Sequence, residues 1–390
     1  MTKKPLDDVM SEPAAKRGEF LGGFPIQGRM MRYNRFVARL YNWCKSLGFE
    51  PGKIMPSRAF CSDESQGYPI IVLAKHFGAF PFNHGVVGGV VATDLHGPHA
   101  AHGQDLVIVQ ASHVGYDPET KVFGTYRRAQ TTHGECSSNC GKIHHIISWY
   151  QNEYEFAKHN ILLHNDNGKK IIIVDNQLLR QDRNEGLLLY LEKIIATNAD
   201  GQRAPLKIMS TGKVFTPAQT FVDKMGESAF NGITPQPIGS NLTADMFHFR
   251  RDIPSIEEGV SDLEHNLICC MPQIITSSTP MLTAAEINTQ YEFDRTYRTI
   301  VKERAYKGKR VLFISGLNID ISPKPEQLFP LTKFVPWAAY VQDRDSFYYT
   351  LEQEELVQTL VQQSLDNPDQ IDLEKSIQLM AQEAEIEFEI

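Results

Sequence analysis

With 390 residues, the chain is long enough for two average domains or for one large α/β core carrying insertions. Its 42% hydrophobic and 22% charged residues exclude a disordered or fibrous chain, and no apolar run approaches the roughly 18–20 residues of a membrane span. The net charge of −8 is unevenly spread: Leu351–Ile390 holds eleven Asp/Glu against the single Lys375, a balance of −10, so the other 350 residues sum to +2, without the basic stripe that nucleic acid requires.

The first 28 residues form a polar, turn-rich arm with no apolar leader segment, from which a cytoplasmic location is expected. Residues 31–47 place Phe36, Leu40, Trp43, Cys44 and Leu47 at helical spacing, which predicts a packing helix. A strand is expected over 53–60, stopping before Cys61, and a helix over 68–77. The segment 105–112 has the nearly unbroken apolar character of a strand covered on both faces, and it puts His113 at that strand's C-terminal end. A helix is expected over 143–156, a buried strand over 169–174 after a turn at 165–168, and a further strand over 309–315 that gives way to Gly316. This alternation predicts an α/β protein with a mostly parallel central sheet flanked by helices. Residues 200–300, rich in Pro, Thr, Ser and Asn, read as insertion or partly helical cover. The acidic tail is expected to be helical over 351–365, to break at Asn367-Pro368, to resume near Leu373 and to end in an edge strand over 385–390.

Six cysteines are too few for a disulfide scaffold, so metal binding, catalysis or plain core packing are the roles left to them. Cys61 and His113 fall at expected strand ends, where functional groups of parallel sheets gather. Cys140 sits in the polar loop Ser137–Gly141 that opens the next helix, a place that favours a thiolate. Two thiolates and an imidazole suit tetrahedral zinc and leave a fourth position for water. Their separations of 52 and 27 residues form no zinc knuckle, and the same three residues also read as small buried hydrophobes and a core histidine. Cys136, four residues before Cys140, offers a rival redox or nucleophilic thiol with His133 beside it, whereas Cys44 and Cys269-Cys270 lie in apolar surroundings as core. The glycines from Gly85 to Gly97 lack the Gly-Lys-Ser/Thr of a phosphate loop and read as close-packed backbone lining a pocket.

Cys61-Ser62-Asp63 resembles the Cys-x-Asp segment of β-carbonic anhydrases, and Ser137 to Ile143 resembles their His-x-x-Cys-Gly-x-Leu segment with Ser137 in the histidine's place. With His113-Val114-Gly115, then Gly124 and Arg128, then Cys140-Gly141, the chain resembles the limiting-CO2-inducible B/C (LCIB-like) branch of that superfamily. The resemblance implies a β-carbonic anhydrase-like fold over 29–350, elaborated by a long insertion at about 160–305, between an N-terminal arm at 1–28 and an acidic extension at 351–390. It implies zinc on Cys61, His113 and Cys140, and reversible hydration of CO2 to bicarbonate by zinc-activated hydroxide. Asp63 either accepts a hydrogen bond from that hydroxide or swings in as a fourth ligand. The arginine usual two positions after the aspartate is Ser65 here, so Arg128 becomes its expected substitute, with Arg127 and Arg58 as alternatives. Among the histidines near the site in sequence, His96, His99, His102, His133, His144 and His145, the proton-shuttle role falls to His102. A homodimer or higher homo-oligomer is expected. The alternative reading is a zinc-stabilised scaffold of little activity that handles CO2/bicarbonate or binds a partner.

Overall fold

The apolar run at Leu106 belongs to a strand, Asp105–Asp117, in which every residue except Tyr116 is buried. It runs through the middle of an eight-stranded sheet in the computed structural model, which describes residues 24–92, 105–128, 136–253, 260–327, 329–345 and 347–383. The chain divides into two compact units, residues 1–140, 258–263 and 285–390 in the first, and residues 141–257 and 264–284 in the second. In chain order the first unit contains β1 (Met31–Arg32), α1 (Tyr33–Ser46), β2 (Ile54–Ala59), α2 (Gly67–Phe77), β3 (Phe82–Asn83), β4 (Asp105–Asp117), β5 (Val122–Phe123), β6 (Thr125–Arg127) and β7 (Cys136–Ser138). It continues with most of α3 (Pro280–Lys302), then β8 (Val311–Ile321), β9 (Lys333–Gln342), β10 (Tyr348–Leu351), α4 (Gln353–Gln362) and α5 (Leu373–Gln382).

The main path of the sheet runs β1-β9-β8-β4-β2-β3. Its centre is parallel, β8 with β4, β4 with β2 and β2 with β3. Antiparallel β9, flanked by β1 and β10, closes one side. Because side chains alternate along a strand, β4 feeds two cores. Val107, Val109 and Ala111 join Leu312, Ile314 and Phe334 against Phe36, Leu40, Trp43 and Cys44 of α1. Leu106 and Ile108 join Val311, Phe313 and Tyr340 against Tyr297, Ile300 and Val301 of α3. Phe36 is fully buried and stacks on Phe334 with ring centroids 3.9 Å apart, so its burial contributes about 1.5–3 kcal/mol. The acidic extension enters this core through Leu356 and Leu360 of α4, while Glu354 and Glu355 face solvent.

Three elements differ from the sequence expectation, each for a reason of pairing. β4 continues five residues past Ser112, because residues through Tyr116 pair with β8 up to Ile321, so His113 lies inside the strand and not at its end. β8 likewise runs through Gly316, where its register with β9 shifts and where an added Cβ would meet the Phe334 ring at 2.4 Å. The strand Lys169–Asp175 does not continue the parallel alternation. It forms a hairpin with Ile161–Asp166 in a five-stranded antiparallel sheet of the second unit. Its two-residue turn is Asn167-Gly168, both at positive φ (52° and 86°), the geometry such a turn needs. The second unit also holds the helix Gly141–Asn160 and a strand pair, Gly186–Leu189 with Phe247–Arg250. The expected edge strand over 385–390 and most of the N-terminal arm lie outside the described residues. No described helix is long and apolar enough to cross a membrane.

Candidate metal centre

Cys61 lies two residues beyond β2, His113 sits on β4, and Cys140 follows β7. Parallel pairing of β2 with β4 brings Cys61 and His113 together, and the glycine segment packs against both. A Cβ on Gly85 would stand 2.2 Å from the Phe60 carbonyl oxygen, and one on Gly89, at φ +81°, would stand 2.2 Å from that of Ala111. Only glycine lets this backbone press so closely on β2 and β4. The approach delivers the Gly88 N–H to Cys61 Sγ at 3.2 Å, and Asn288 of α3 secures the turn by donating to the Gly88 carbonyl at 3.1 Å and to Ser112 Oγ at 2.8 Å.

The ligand atoms of Cys61, His113 and Cys140 lie within 4.8 Å of one another, all three residues being buried. This is the one such cluster among the described residues. The two Sγ atoms are 3.8 Å apart, matching the separation of about 3.8 Å that two thiolates take at about 2.3 Å from a tetrahedral zinc. His113 Nδ1 is bonded to Asp320 Oδ2 at 3.0 Å, and its Nε2, buried with no hydrogen-bond partner, remains as the donor for a cation. The electrostatics agree with the geometry. A hydrogen bond from Cys140 outweighs burial and, with His113, holds the Cys61 thiol down at about 3, while Cys140 itself is raised, first by that shared bond and then by burial. Burial opposes charge on His113, but Cys140 and Asp320 overcome it and raise the imidazole well above its usual range. A thiol that favours negative charge at Cys61, a second sulfur beside it and a ring nitrogen with no hydrogen-bond partner form a buried group that could hold a metal cation.

Asp320 is fully buried and saturated. Besides His113, its Oδ2 accepts from Ser65 Oγ at 2.9 Å and Gln66 Nε2 at 2.7 Å, and its Oδ1 accepts from Thr332 Oγ at 3.0 Å. Ser65, standing where the resemblance expects arginine, also accepts from Asn139 Nδ2 at 3.2 Å, and Gln66 Oε1 accepts from Asn318 Nδ2 at 2.7 Å. Asp320, Gln66 and Thr332 escaped the sequence reading. The available signal was the polar pair Asn318 and Asp320, two apart and hence on one face of a strand.

Asp63 caps the short turn Glu64–Gln66 by accepting the Ser65 N–H at 3.1 Å, and burial raises its carboxyl to about 6 against the opposing charge of His113. The structure pairs Arg128 with Glu64 rather than with Asp63. Arg128 Nε donates to Glu64 Oε1 and Nη1 to Ser137 Oγ at 2.8 Å. Burial works against the Glu64 charge, but Arg128 prevails and holds that carboxyl at about 2. Arg127 turns to Glu119 at 2.7 Å, and Asp63 has no hydrogen bond to Arg58, Arg127 or Arg128 among the described residues. His102, like His96, His99 and His133, lies outside the described residues. The rival thiol Cys136 is exposed and outside the cluster, so the sulfur beside Cys140 is Cys61. Cys44 and Cys270 are buried and Cys269 is exposed.

Fold and site together define an α/β protein with a central, mostly parallel sheet and a buried Cys-His-Cys cluster able to hold a metal ion. Residues 30–197, which include Cys61, His113 and Cys140, match the family model of limiting CO2-inducible proteins B/C β-carbonic anhydrases. Among solved structures the chain is similar to PtLCIB4, a homolog of the limiting CO2-inducible protein LCIB, at 11% identity and a TM-score of 0.48 over 85% of this chain and 96% of that one. It is also similar to the limiting CO2-inducible protein LCIB, at 11% identity and a TM-score of 0.43 over 87% of this chain and 100% of that one. No curated protein matches the chain.

Proposed function

We propose that this protein is a zinc-dependent carbonic anhydrase that interconverts CO2 and bicarbonate. The observation that carries the reading is the donor set itself: two Sγ atoms 3.8 Å apart and the unpartnered His113 Nε2, buried together. Zinc bound there supplies Lewis acidity, which brings the pKa of water from 15.7 to about 7 and so provides a nucleophile for CO2 at neutral pH. The residues of the chain do the rest. Asp320 holds the Nδ1 proton of His113 and thereby aims Nε2 at the centre. Gly88 N–H offsets charge on Cys61 Sγ. Asp63, with its carboxyl near 6, is ionised at neutral pH and accepts the hydrogen bond that orients the attacking oxygen. Arg128 fixes the turn that carries Asp63 through its pair with Glu64. His102 is the proposed carrier of the released proton to solvent.

The reading extends to a cytoplasmic homo-oligomer, with the catalytic fold over 29–350, the insertion at about 160–305, and the flanking arm and acidic extension. A second reading, a zinc-stabilised scaffold of little activity, draws support from one observation: Ser65 occupies the arginine position, and no arginine is hydrogen-bonded to Asp63 among the described residues. Stopped-flow CO2 hydration on the zinc-loaded protein separates the two. Turnover well above the buffer rate supports the enzyme, whereas the buffer rate with stoichiometric zinc favours the scaffold, and absence of zinc removes both.

A further inference from the structure

A second region of the first unit has the make-up of a binding site and shares none of the three metal ligands. It is a cavity of about 740 Å³ lined by the start of α1, by Tyr68 of α2 and by the segment joining β8 to β9. That volume lies within the roughly 300–1,000 Å³ typical of small-molecule sites.

Every charged side chain lining it, Arg32, Lys324 and Lys333, is basic, in a chain with 47 acidic against 39 basic residues. None of the three forms an ion pair among the described residues, although elsewhere in the first unit the half-buried Arg127 and Arg128 and the exposed Arg344 find carboxylates. Two of them are set against each other. Arg32 and Lys333 are directly opposed in the antiparallel β1–β9 pair, which places like charges side by side on one face of the sheet. Such an arrangement is unfavourable in the free protein and is relieved by an anion between them. Apolar surface lies beside the charge. Tyr68 and Phe329 approach with ring centroids 6.3 Å apart, and Phe329 and Leu331 remain 37% and 41% exposed at the cavity. An inorganic anion would leave that surface and most of the volume unused.

We propose that this cavity binds a phosphorylated small molecule that carries a planar ring. Arg32, Lys324 and Lys333 take the phosphoryl oxygens, and Tyr68 with Phe329 takes the ring.

The probe is ADP, whose two phosphates supply about three negative charges for three cations, titrated into the full-length protein by calorimetry at low salt, beside adenosine and inorganic pyrophosphate. Saturable ADP binding in the micromolar range is expected, with adenosine and pyrophosphate each at least tenfold weaker. The double variant Arg32→Gln/Lys324→Gln should lose at least tenfold in ADP affinity and melt no lower than wild type without ligand, since it relieves a repulsion. Lys324→Gln alone, at an exposed loop position, serves if the double variant does not fold, with a loss of at least threefold. Absence of saturable ADP binding, unchanged affinity in these variants, or pyrophosphate binding as tightly as ADP would each overturn the proposal.

Discussion

Asp320→Asn separates the charge of this carboxylate from its shape. In the wild-type protein, Oδ2 accepts from His113 Nδ1, Ser65 Oγ and Gln66 Nε2, and Oδ1 accepts from Thr332 Oγ. Asparagine can keep its oxygen for the first three and turn its amide toward Thr332, whose hydroxyl then accepts instead of donating. The hydrogen bonds survive, and what disappears is the negative charge behind His113. Outer carboxylates of this kind raise the basicity of a metal-ligating imidazole, and losing one costs about 10- to 100-fold in metal affinity, or about 1.4–2.8 kcal/mol. Alanine is a poorer probe. It strands four buried donors at roughly 1–3 kcal/mol each, a total that rivals the stability of about 5–15 kcal/mol of a whole domain. Zinc competition against a chromophoric chelator, with wild type and Asp320→Asn side by side, reads the effect. A folded Asp320→Asn protein with wild-type zinc affinity would refute the role assigned to this carboxylate.

Gly89→Ala should destabilise the fold by roughly 2–4 kcal/mol, combining positive-φ strain with overpacking, because the new Cβ would stand 2.2 Å from a backbone oxygen of β4; a urea midpoint equal to wild type would show that the 85–89 backbone is not so constrained. Asp63 gives a pH signature in the metal-free protein. Burial raises its carboxyl from 3.8 to about 6, so the fold favours the protonated form, and the contribution is complete below about pH 4 and lost as pH climbs through 6. The denaturant midpoint of wild type relative to Asp63→Asn should therefore fall between pH 4 and 6, and a difference that stays flat across that window contradicts the burial of this group.

The clustering of Cys61, His113 and Cys140 was legible because they stand beside short motifs, but the support of His113 was not. Asp320 comes from a strand 207 residues away in sequence, and Gly316 read as the end of that strand when pairing with β4 in fact carries it to Ile321. The apolar run at Lys169–Asp175 illustrates the limit of periodicity. A short buried strand looks the same in a parallel core and in an antiparallel hairpin, and only the turn residues Asn167-Gly168 distinguish them. Arg128 was expected to pair with Asp63 and pairs with Glu64 instead, because spacing alone does not choose between adjacent carboxylates. The choice of Glu64 over Asp63 depends on the short turn that Asp63 itself caps.

Metal content tests the central claim most directly. Elemental analysis of protein purified without chelators is expected to find one zinc per chain in wild type and none in Cys61→Ala or His113→Ala. Absence of zinc from the wild-type protein, or zinc at the wild-type level in both variants, would contradict a centre built on Cys61, His113 and Cys140.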